Sequence, residues 1–278
     1  MTRQPSQAPL DDALGRHREQ LKQLFPLPPS RQAPSKVLRS AGITLLLALA
    51  VAALAWLNPT YKREHFATAV GERRAVLLND GSRLLLDSAT QVDIRWRLLS
   101  REVGLRAGQA LFDVAPAVYR PFVVAAGLAN VEVLGTLFNV RRLEHDEVRV
   151  TLARGQVKVE VPGAAQTPAV LMPGQQVDAI RGQLMPVAKV DASRAMAWKD
   201  DRIVFAQTPL GEAVALLRHY RTAPVRLDDP GLAALKVTGV FEAHKVDQLL
   251  DLLPSILPVA VLREQGGEVR IQRKPTGK

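Results

Sequence analysis

Residues 76–86 read Val-Leu-Leu-Asn-Asp-Gly-Ser-Arg-Leu-Leu-Leu, which is two apolar runs separated by a short polar turn. Asn79, Asp80 and Gly81 tolerate the positive φ angles that a tight hairpin turn requires. The leucine-rich runs on either side have the length and composition of short strands. The stretch therefore predicts a β-hairpin, and it makes an all-β fold the first expectation for the residues around it.

The same pattern continues on both sides of this hairpin. Short segments rich in Val and Leu, several of them alternating with polar residues, are separated by turn signals about ten residues apart. The glycines among these signals are Gly104, Gly108, Gly127, Gly135, Gly155, Gly163 and Gly174. Such alternation indicates strands with one face in water. We therefore predict an all-β domain over residues 66–190, with a solenoid-like or an antiparallel arrangement.

Helical and extended segments alternate after Trp198. A strand over Arg202–Phe205 leads into a helix from Pro209 to Tyr220, whose apolar residues recur on one face. The later segments are strands at Pro224–Leu227 and Lys236–Phe241, a helix at Val246–Leu253, and a hairpin of Val259–Leu262 and Glu268–Ile271 across Gly266 and Gly267. The order β-α-β-β-α-β-β predicts a small α+β domain over residues 198–273.

A different pattern occupies residues 41–57, which are seventeen consecutive residues without a charge. As a helix this segment is about 26 Å long, close to the smallest thickness of a bilayer core. Arg39 at one end, and Trp56 and Tyr61 at the other, suit the membrane surface. We predict a transmembrane helix. The alternatives are a buried helix of a soluble fold and a cleaved signal peptide, which seldom follows so long a stretch.

Residues 1–40 form a short basic tail, with seven Lys/Arg against three Asp/Glu. Leucines at helical spacing between Leu10 and Phe25 predict a short amphipathic helix, and the prolines from Pro26 to Pro34 predict a stiff linker after it. The helix suits docking to a cytoplasmic partner or a basic anchor on anionic lipid. Basic residues near the two ends of the apolar segment are almost equally numerous, so they do not set its orientation.

The composition excludes several classes of function. Since the chain has no cysteine, it has no disulfides and no thiolate metal site. No basic block is interleaved with aromatic residues, so we do not expect nucleic-acid binding. The histidines lack the paired spacing of a metal site, and we expect each to lie at the surface: His17, His65, His145, His219 and His244. We predict neither a metal nor a cofactor. Because catalytic fingerprints are also missing, an ordinary enzyme is not expected.

Five sequence blocks in a fixed order resemble the FecR family. They are Gly71–Arg74 with Leu78–Ser82, Gly108–Ala115, Arg120–Val124, Val133–Val140 and Leu171–Gln176. Members of that family are inner-membrane regulators of bacterial cell-surface signalling, usually for iron acquisition. The resemblance therefore implies an inner-membrane protein with a cytoplasmic tail and periplasmic C-terminal domains.

The resemblance also implies partners on both sides of the membrane. Outside, the partner is the N-terminal signalling domain of a TonB-dependent outer-membrane receptor; inside, it is an extracytoplasmic-function sigma factor. The C-terminal domain resembles the small N-terminal domains of secretins and TonB-dependent receptors, whose edge strands can pair with a partner strand. The tail is shorter than is usual in the family and has no Trp. A periplasmic scaffold or adaptor, with the tail as anchor only, is therefore the second interpretation.

The fourth block contains Gly135-Thr136, which matches the position at which some FecR-like proteins cut themselves. By this resemblance the Thr136 hydroxyl attacks the Gly135 carbonyl, and water then opens the resulting ester. A glycine permits the strained backbone that such a step needs. The alternative is a plain glycine bend followed by a threonine that favours strands. Self-cleavage here would be a single turnover and would not make the chain a conventional enzyme.

Overall fold

The computed structural model describes residues 36–143 and 147–274, together with residues 15, 17, 18 and 24. The chain divides into two packed units, residues 1–56 and residues 57–278. The four isolated residues of the tail are helical. Most of the predicted amphipathic helix, the whole proline linker and His145 lie outside the described residues, so these predictions stay as they are.

Helix α1 covers Lys36–Leu57 and includes the whole predicted apolar span. The large apolar side chains described on it, from Leu45 to Leu57, are exposed. Taking only the described part of the chain, no helix combines the length and the apolarity that crossing a membrane requires. The transmembrane helix therefore remains a prediction.

Fifteen described strands follow α1, and they pair into two sheets that face each other. In chain order the strands are β1 (Thr60–Ala67), β2 (Arg74–Leu77), β3 (Arg83–Leu86), β4 (Gln91–Arg97), β5 (Arg101–Ala107), β6 (Gln109–Asp113), β7 (Phe122–Ala126), β8 (Ala129–Val133), β9 (Leu137–Arg142), β10 (Val148–Arg154), β11 (Val157–Glu160), β12 (Ala169–Leu171), β13 (Gln175–Ile180), β14 (Gln183–Leu184) and β15 (Ala188–Lys189).

The chain advances through the two sheets in steps. Sheet I has the order β1-β4-β5-β7-β8-β11-β12, and sheet II has the order β2-β3-β6-β9-β10-β13-β14 with β15 beside β13. The chain changes sheet after every one to three strands and moves steadily towards one side of both. All described pairings in the two sheets are antiparallel except the parallel pair β5–β7. Both predicted features, solenoid-like progress and antiparallel pairing, are therefore present.

The core lies between the sheets. Residues alternate between buried and exposed along β4, β7 and β8, as expected for strands with one face in water. Phe112 of β6 stacks on Phe138 of β9 with ring centroids 5.0 Å apart, and it meets Phe122 of β7 edge-on at 6.1 Å. Because Phe122 belongs to sheet I and the other two rings to sheet II, this aromatic group joins the sheets.

The hairpin at residues 76–86 is fixed as predicted. Leu78 N–H donates to the Ser82 carbonyl at 2.8 Å, and Gly81 has a φ of +85° at the turn. Asp80 then accepts from Arg101 at 2.6 Å, and Arg101 is only 2% exposed. Burial alone would raise the pKa of Asp80, but hydrogen bonds from Arg101 and Ser82 outweigh it and lower this pKa below its usual value. The turn of sheet II is thereby tied to β5 of sheet I.

The C-terminal module has the element order that the sequence predicted. Two short helical segments, α2 (Ala192–Ala195) and a 3-10 turn at Ala197–Asp200, lead into it. Its elements are β16 (Arg202–Pro209), α3 (Leu210–Arg218), β17 (Val225–Leu227), β18 (Lys236–Glu242), α4 (Val246–Ile256), β19 (Val259–Arg263) and β20 (Val269–Arg273). β16 pairs with β18, and β20 lies between β17 and β19.

The module has its own apolar core. Leu210, Val214 and Leu217 of α3 are buried with Leu249 and Leu253 of α4. Gly266 and Gly267 have φ values of +88° and +82°, which gives the closing hairpin between β19 and β20 the tight turn expected for it. The sandwich and the module are therefore built on separate cores that belong to the same packed unit.

Candidate functional site

The sandwich and the C-terminal module meet on the outer face of sheet II, and we call this contact the junction. Its first part is a small apolar cluster in which Trp198 and Met196 pack against Leu111 of β6. Trp198 is 5% exposed, and its indole N–H donates to Asn139 of β9 at 3.2 Å. Gln109 donates to the same amide oxygen at 3.1 Å. The segment that enters the module is therefore anchored on the sandwich by one aromatic side chain.

An arginine of the FecR-like opening block closes the same side of the junction. Arg73 donates to the Trp198 carbonyl at 2.7 Å and forms an ion pair with Asp201. Asp201 has a positive φ of 61° and ends the 3-10 turn, and it also contacts His244 at the start of the second helical region. The charged contact therefore reaches from Arg73, the residue before β2 of the sandwich, through the linker to the module.

The second part of the junction is at the end of α3. The Tyr220 hydroxyl donates to Asp87 at 2.6 Å, and the Ser88 hydroxyl donates to the His219 carbonyl at 2.6 Å. Asp87 is fully buried, and one of its carboxylate oxygens has no hydrogen-bond partner in the described structure. A buried polar atom without a partner costs about 1–3 kcal/mol. Burial of this unpartnered oxygen therefore offsets part of the stabilisation that the Tyr220–Asp87 hydrogen bond provides.

Burial shifts the titration of the groups in this part of the junction. It raises the pKa of Asp87 to about 6, although the hydrogen bond from Tyr220 acts to lower it. Burial and the nearby Arg141 charge lower the pKa of His219 to about 4. Burial also raises the pKa of Tyr220, and the Asp87 charge raises it further. Burial therefore favours the neutral forms of both Asp87 and His219, which lie at the same interface.

A third contact lies on the other side of α3. Arg149 of β10 pairs with Asp178 through two bonds of 2.9 and 3.0 Å and with Glu212 of α3 at 2.8 Å. Burial acts to lower the pKa of Arg149, but its bonds with Asp178 and Glu212 outweigh this and raise it. One guanidinium thus joins an acid of the sandwich to an acid of the module.

Between these contacts lies a cleft of about 650 Å³. Gln109, Asn139 and Thr151 line it on the side of the sandwich, while Phe205 and Tyr220 line it on the side of the module. Its charged residues are mainly basic: Arg141, Arg149, Lys189, Arg194 and Arg202, against Asp191 and Glu212. Since the contacts around the cleft are largely polar and ionic, the junction resembles a transient interface more than a core.

The predicted cleavage pair lies in the bend that carries the chain from β8 of sheet I to β9 of sheet II. Thr136 is 2% exposed, and its hydroxyl has no hydrogen-bond partner among the described residues. A side chain at position 135 would come within 2.9 Å of Pro116, so only glycine fits there. A side chain on Gly155 would come within 2.7 Å of Thr136. The structure thus encloses the Gly135-Thr136 pair in a tightly packed bend.

The histidines are not all at the surface. His219 is half-buried and its Nε2 has no partner in the described structure, so the expectation of a surface position was wrong for it. The reason is that α3 presses its last turn against the sandwich, which local spacing does not reveal. Among the others, His17, His65 and His244 are exposed.

His244 belongs to a group that sequence spacing did not reveal. Ligand atoms of His244, Asp201 and Glu242 all lie within 4.8 Å of one another, a geometry that could hold a cation. Arg73 already pairs with Asp201, and Lys245 pairs with Glu242 at 2.7 Å. The acidic groups are therefore neutralised by the protein's own cations.

Sequence reasoning predicted a cleavage pair but did not predict the junction. Arg73 was part of a recognised block, whereas Asp87 and Tyr220 lie 133 residues apart and were assigned no role. The available signal was an acidic residue directly after a buried strand, together with a tyrosine at the end of an amphipathic helix. Neither feature indicates, without the fold, which residue it contacts.

Comparisons with known proteins agree with this architecture. A family model described as FecR protein matches residues 64–158. Two crystal structures of a protein from Parabacteroides distasonis ATCC 8503, proposed to be an anti-sigma factor, share the fold, one at 2.50 Å and one at 1.65 Å resolution. Each has a TM-score of 0.66 and 22% sequence identity, and the match covers 76% of this chain and 99% of the other. None of the curated proteins matches the chain.

Four of the five ordered sequence blocks fall inside the matched range, and the fifth, Leu171–Gln176, lies beyond it. Residues 64–158 therefore match the model of the family that those blocks predicted.

Proposed function

We propose that this chain is a membrane-anchored signalling regulator that controls a sigma factor. The observation that carries the proposal is the FecR domain at residues 64–158, and the fold shared with a proposed anti-sigma factor supports it. In its full form, the regulator relays the state of a TonB-dependent outer-membrane receptor, in iron or siderophore uptake, to a cytoplasmic extracytoplasmic-function sigma factor.

The location in this proposal is the inner membrane, crossed once by residues 41–57. Support comes from the seventeen uncharged residues and from α1, whose large apolar side chains are exposed. Leu45, Leu46, Leu47 and Leu49 point in different directions around a helix, so no polar face interrupts the apolar surface. The tail is cytoplasmic, and residues 58–278 are periplasmic.

The junction supplies the element that a signal could move. Three polar contacts, Arg73 with Asp201, Tyr220 with Asp87, and Arg149 with Glu212, hold the module on sheet II. The junction can be closed or open. A receptor domain that binds the module more tightly in one of these two states increases the population of that state. The shift then reaches the tail by a conformational change or by stepwise proteolysis.

A capture experiment tests the inner arm of the relay. The full chain in detergent should retain the extracytoplasmic-function sigma factor that it regulates, and a variant that lacks residues 1–35 but keeps α1 should not. A tail variant with Leu14→Ser and Leu21→Ser should also lose it, whereas Gln20→Ser with Gln23→Ser serves as the control for composition. Equal retention by the full and shortened chains would contradict the proposal.

The lack of a Trp in residues 1–40 favours a second function. In this alternative the chain is a periplasmic scaffold or adaptor, and the tail serves only as an anchor. The same experiment separates the two functions if the receptor's signalling domain is offered as well. Retention of that domain together with loss of the sigma factor in every variant would favour the scaffold.

Self-cleavage at Gly135-Thr136 is a further part of the proposal. The Thr136 hydroxyl oxygen bonds to the Gly135 carbonyl carbon, the amide C–N bond breaks, and the amine of Thr136 takes the hydroxyl proton. Water then hydrolyses the ester to a Gly135 carboxylate and a free Thr136 hydroxyl. The buried hydroxyl without a partner supports this step, since a paired hydroxyl would have to break a hydrogen bond first.

The size of the fragments tests the cleavage. The purified full chain should give two bands, with the new N-terminus at Thr136. Thr136→Ala should give one band, while Thr136→Ser should still be cut because it keeps the hydroxyl. Thr151→Ala, another fully buried threonine, is the matched control and should be cut like the natural sequence. A single intact band from the natural sequence would rule cleavage out.

A further inference from the structure

One end of the sandwich carries five exposed apolar side chains, and we call this surface the rim. Its members are Tyr61, Leu98, Leu99, Val118 and Tyr119, with exposed fractions of 63%, 42%, 45%, 72% and 93%. They come from the start of β1, from the turn between β4 and β5, and from the loop between β6 and β7. Exposed apolar groups from three separate segments therefore gather at one end of the fold.

Arg120 joins these segments into one surface. It donates to the Tyr61 hydroxyl at 3.2 Å and to the Arg97 carbonyl at 2.7 Å. The Arg120 carbonyl in turn accepts from Arg101 at 3.0 Å, and Arg101 N–H donates to the Pro121 carbonyl. The loop that carries Tyr119 is thereby held beside Tyr61 and the β4–β5 turn.

The rim also contacts the residue that follows α1 in the sequence. Asn58 directly follows that helix, and its side chain accepts from Leu99 N–H at 2.8 Å and donates to Ser100 at 3.1 Å. If residues 41–57 span a bilayer, covalent continuity alone keeps Asn58 within a few residues of the membrane surface. The exposed leucines of the turn are attached to that residue by two hydrogen bonds.

The charge next to the rim suits anionic lipid. Arg63 and Arg95 are exposed cross-strand partners, and neither forms an ion pair within the described part of the chain. Arg63 lies two residues after Tyr61 and shares its outward face of β1. Exposed arginines beside tyrosine and leucine form the combination that proteins place at membrane interfaces.

We propose that the rim rests in the headgroup region of the bilayer that α1 crosses. The leucines, valine and tyrosines enter the boundary between headgroups and acyl chains, while Arg63 and Arg95 meet lipid phosphates. This rests on the membrane anchoring in the proposed function. The partner is thus the lipid surface itself. The contact orients the sandwich so that the rim faces the bilayer and the opposite end points away from it.

The absence of cysteine allows a clean measurement with single labels on the full chain. Fluorescent labels at Leu98→Cys and Tyr119→Cys report the rim, and a label at Ala48→Cys reports the helix. Leu128→Cys is the matched control, because Leu128 is 56% exposed in the turn after β7, at the far end of sheet I. At about 3.3 Å per strand residue, the two ends are roughly 20 Å apart.

The chain is placed in nanodiscs of phosphatidylethanolamine and phosphatidylglycerol that contain lipids with a spin label on the headgroup or on the acyl chain. Headgroup quenching should be several-fold stronger at Leu98 and Tyr119 than at Leu128. Arg63→Gln with Arg95→Gln should reduce the ratio of rim-bound to free states by roughly fivefold per charge on this anionic surface. Arg181→Gln, an exposed arginine near Leu128, should change nothing.

Each other outcome has a separate meaning. If acyl-chain lipid quenches Ala48 but headgroup quenching at the rim equals that at Leu128, the rim proposal is overturned and membrane anchoring stands. If Ala48 is not quenched, membrane anchoring fails and the rim proposal fails with it. If the rim labels instead quench one another as the chain is concentrated in detergent, the rim binds a second copy, and the proposal is again overturned.

Discussion

The sandwich core and the junction are two contact regions of one packed unit. The core is formed by apolar side chains, and the junction is formed mainly by polar and charged ones. Between the sheets, three phenylalanines and a continuous set of Val and Leu side chains exclude water. Across the junction, a single tryptophan is accompanied by ion pairs and hydrogen bonds that include a fully buried carboxylate. An apolar core has one close-packed arrangement, whereas a polar interface can exchange its partners for water.

This difference assigns different tasks to the two regions. The sandwich is a rigid body, because loss of packing between its sheets would expose the whole core. The junction can open at a cost of a few polar contacts, each of which contributes about 0.5–1.5 kcal/mol when its groups are neutral and about 1.5–3 kcal/mol when one is charged. Substitutions in the core should therefore lower the free energy of unfolding, and substitutions in the junction should change how the module sits on the sandwich.

The largest effect is expected in the core. Phe112→Ala should lower the free energy of unfolding by about 3–5 kcal/mol, because it leaves a cavity between Phe122 and Phe138. Chemical denaturation of the full chain, followed by circular dichroism of the strands, measures it. Tyr119→Ala, an aromatic truncation at a side chain that is 93% exposed, should change this free energy by less than about 0.5 kcal/mol. Equal losses in the two variants would contradict the assignment of the core.

The core is also the region that the sequence predicted best. Alternating apolar residues, glycines at turns and the Asn-Asp-Gly-Ser hairpin are local signals, so they locate strands without knowledge of the fold. The order of elements in the C-terminal module followed in the same way from local helical and strand patterns. Family resemblance predicted the family whose model matches residues 64–158, but it did not supply the parallel pairing of β5 with β7.

The junction could not be predicted, because its contacts join residues far apart in the chain. Arg73 and Asp201 are separated by 128 residues, and Ser88 and His219 by 131. Polar residues at such positions look like ordinary solvent-exposed ones until two folded bodies are brought together. His219 shows this directly, since a histidine expected at the surface is half-buried between α3 and the sandwich.

A smaller effect is expected when the charged contact of the junction is removed. Arg73→Ala should destabilise the closed junction by about 1–2 kcal/mol, because Trp198 O and Asp201 lose a charged donor in a partly exposed site. Energy transfer between labels at Leu128→Cys and Leu252→Cys, both exposed, reports the closed fraction.

Arg95→Ala provides the matched control, because Arg95 is exposed and has no ion pair within the described residues. It should leave the energy transfer unchanged, and neither variant should alter the denaturation midpoint of the sandwich as Phe112→Ala does. An equal fall in energy transfer for both variants would show that general charge, not the Arg73 contact, holds the junction closed.

The smallest net effect is expected from pH in the natural chain, since two buried groups oppose each other. Asp87 has a pKa of about 6 when folded, above its usual value of 3.8, so its charged form weakens the closed junction as pH rises through this range. His219 has a pKa of about 4 when folded, below its usual value of 6.5, so its charged form weakens the junction as pH falls. Between pH 4.5 and 6.5 the two effects should largely cancel.

Single variants remove the cancellation and give slopes of opposite sign. In Asp87→Asn only His219 still titrates, so the closed junction should lose roughly 2 kcal/mol as the pH falls from 6.5 to 4.5. In His219→Gln only Asp87 titrates, so the junction should gain a similar amount over the same fall. The energy-transfer pair at Leu128 and Leu252 measures both slopes. Slopes of the same sign would contradict the placement of both groups at this interface, whereas zero slopes in both variants would show a junction as rigid as the core beside it.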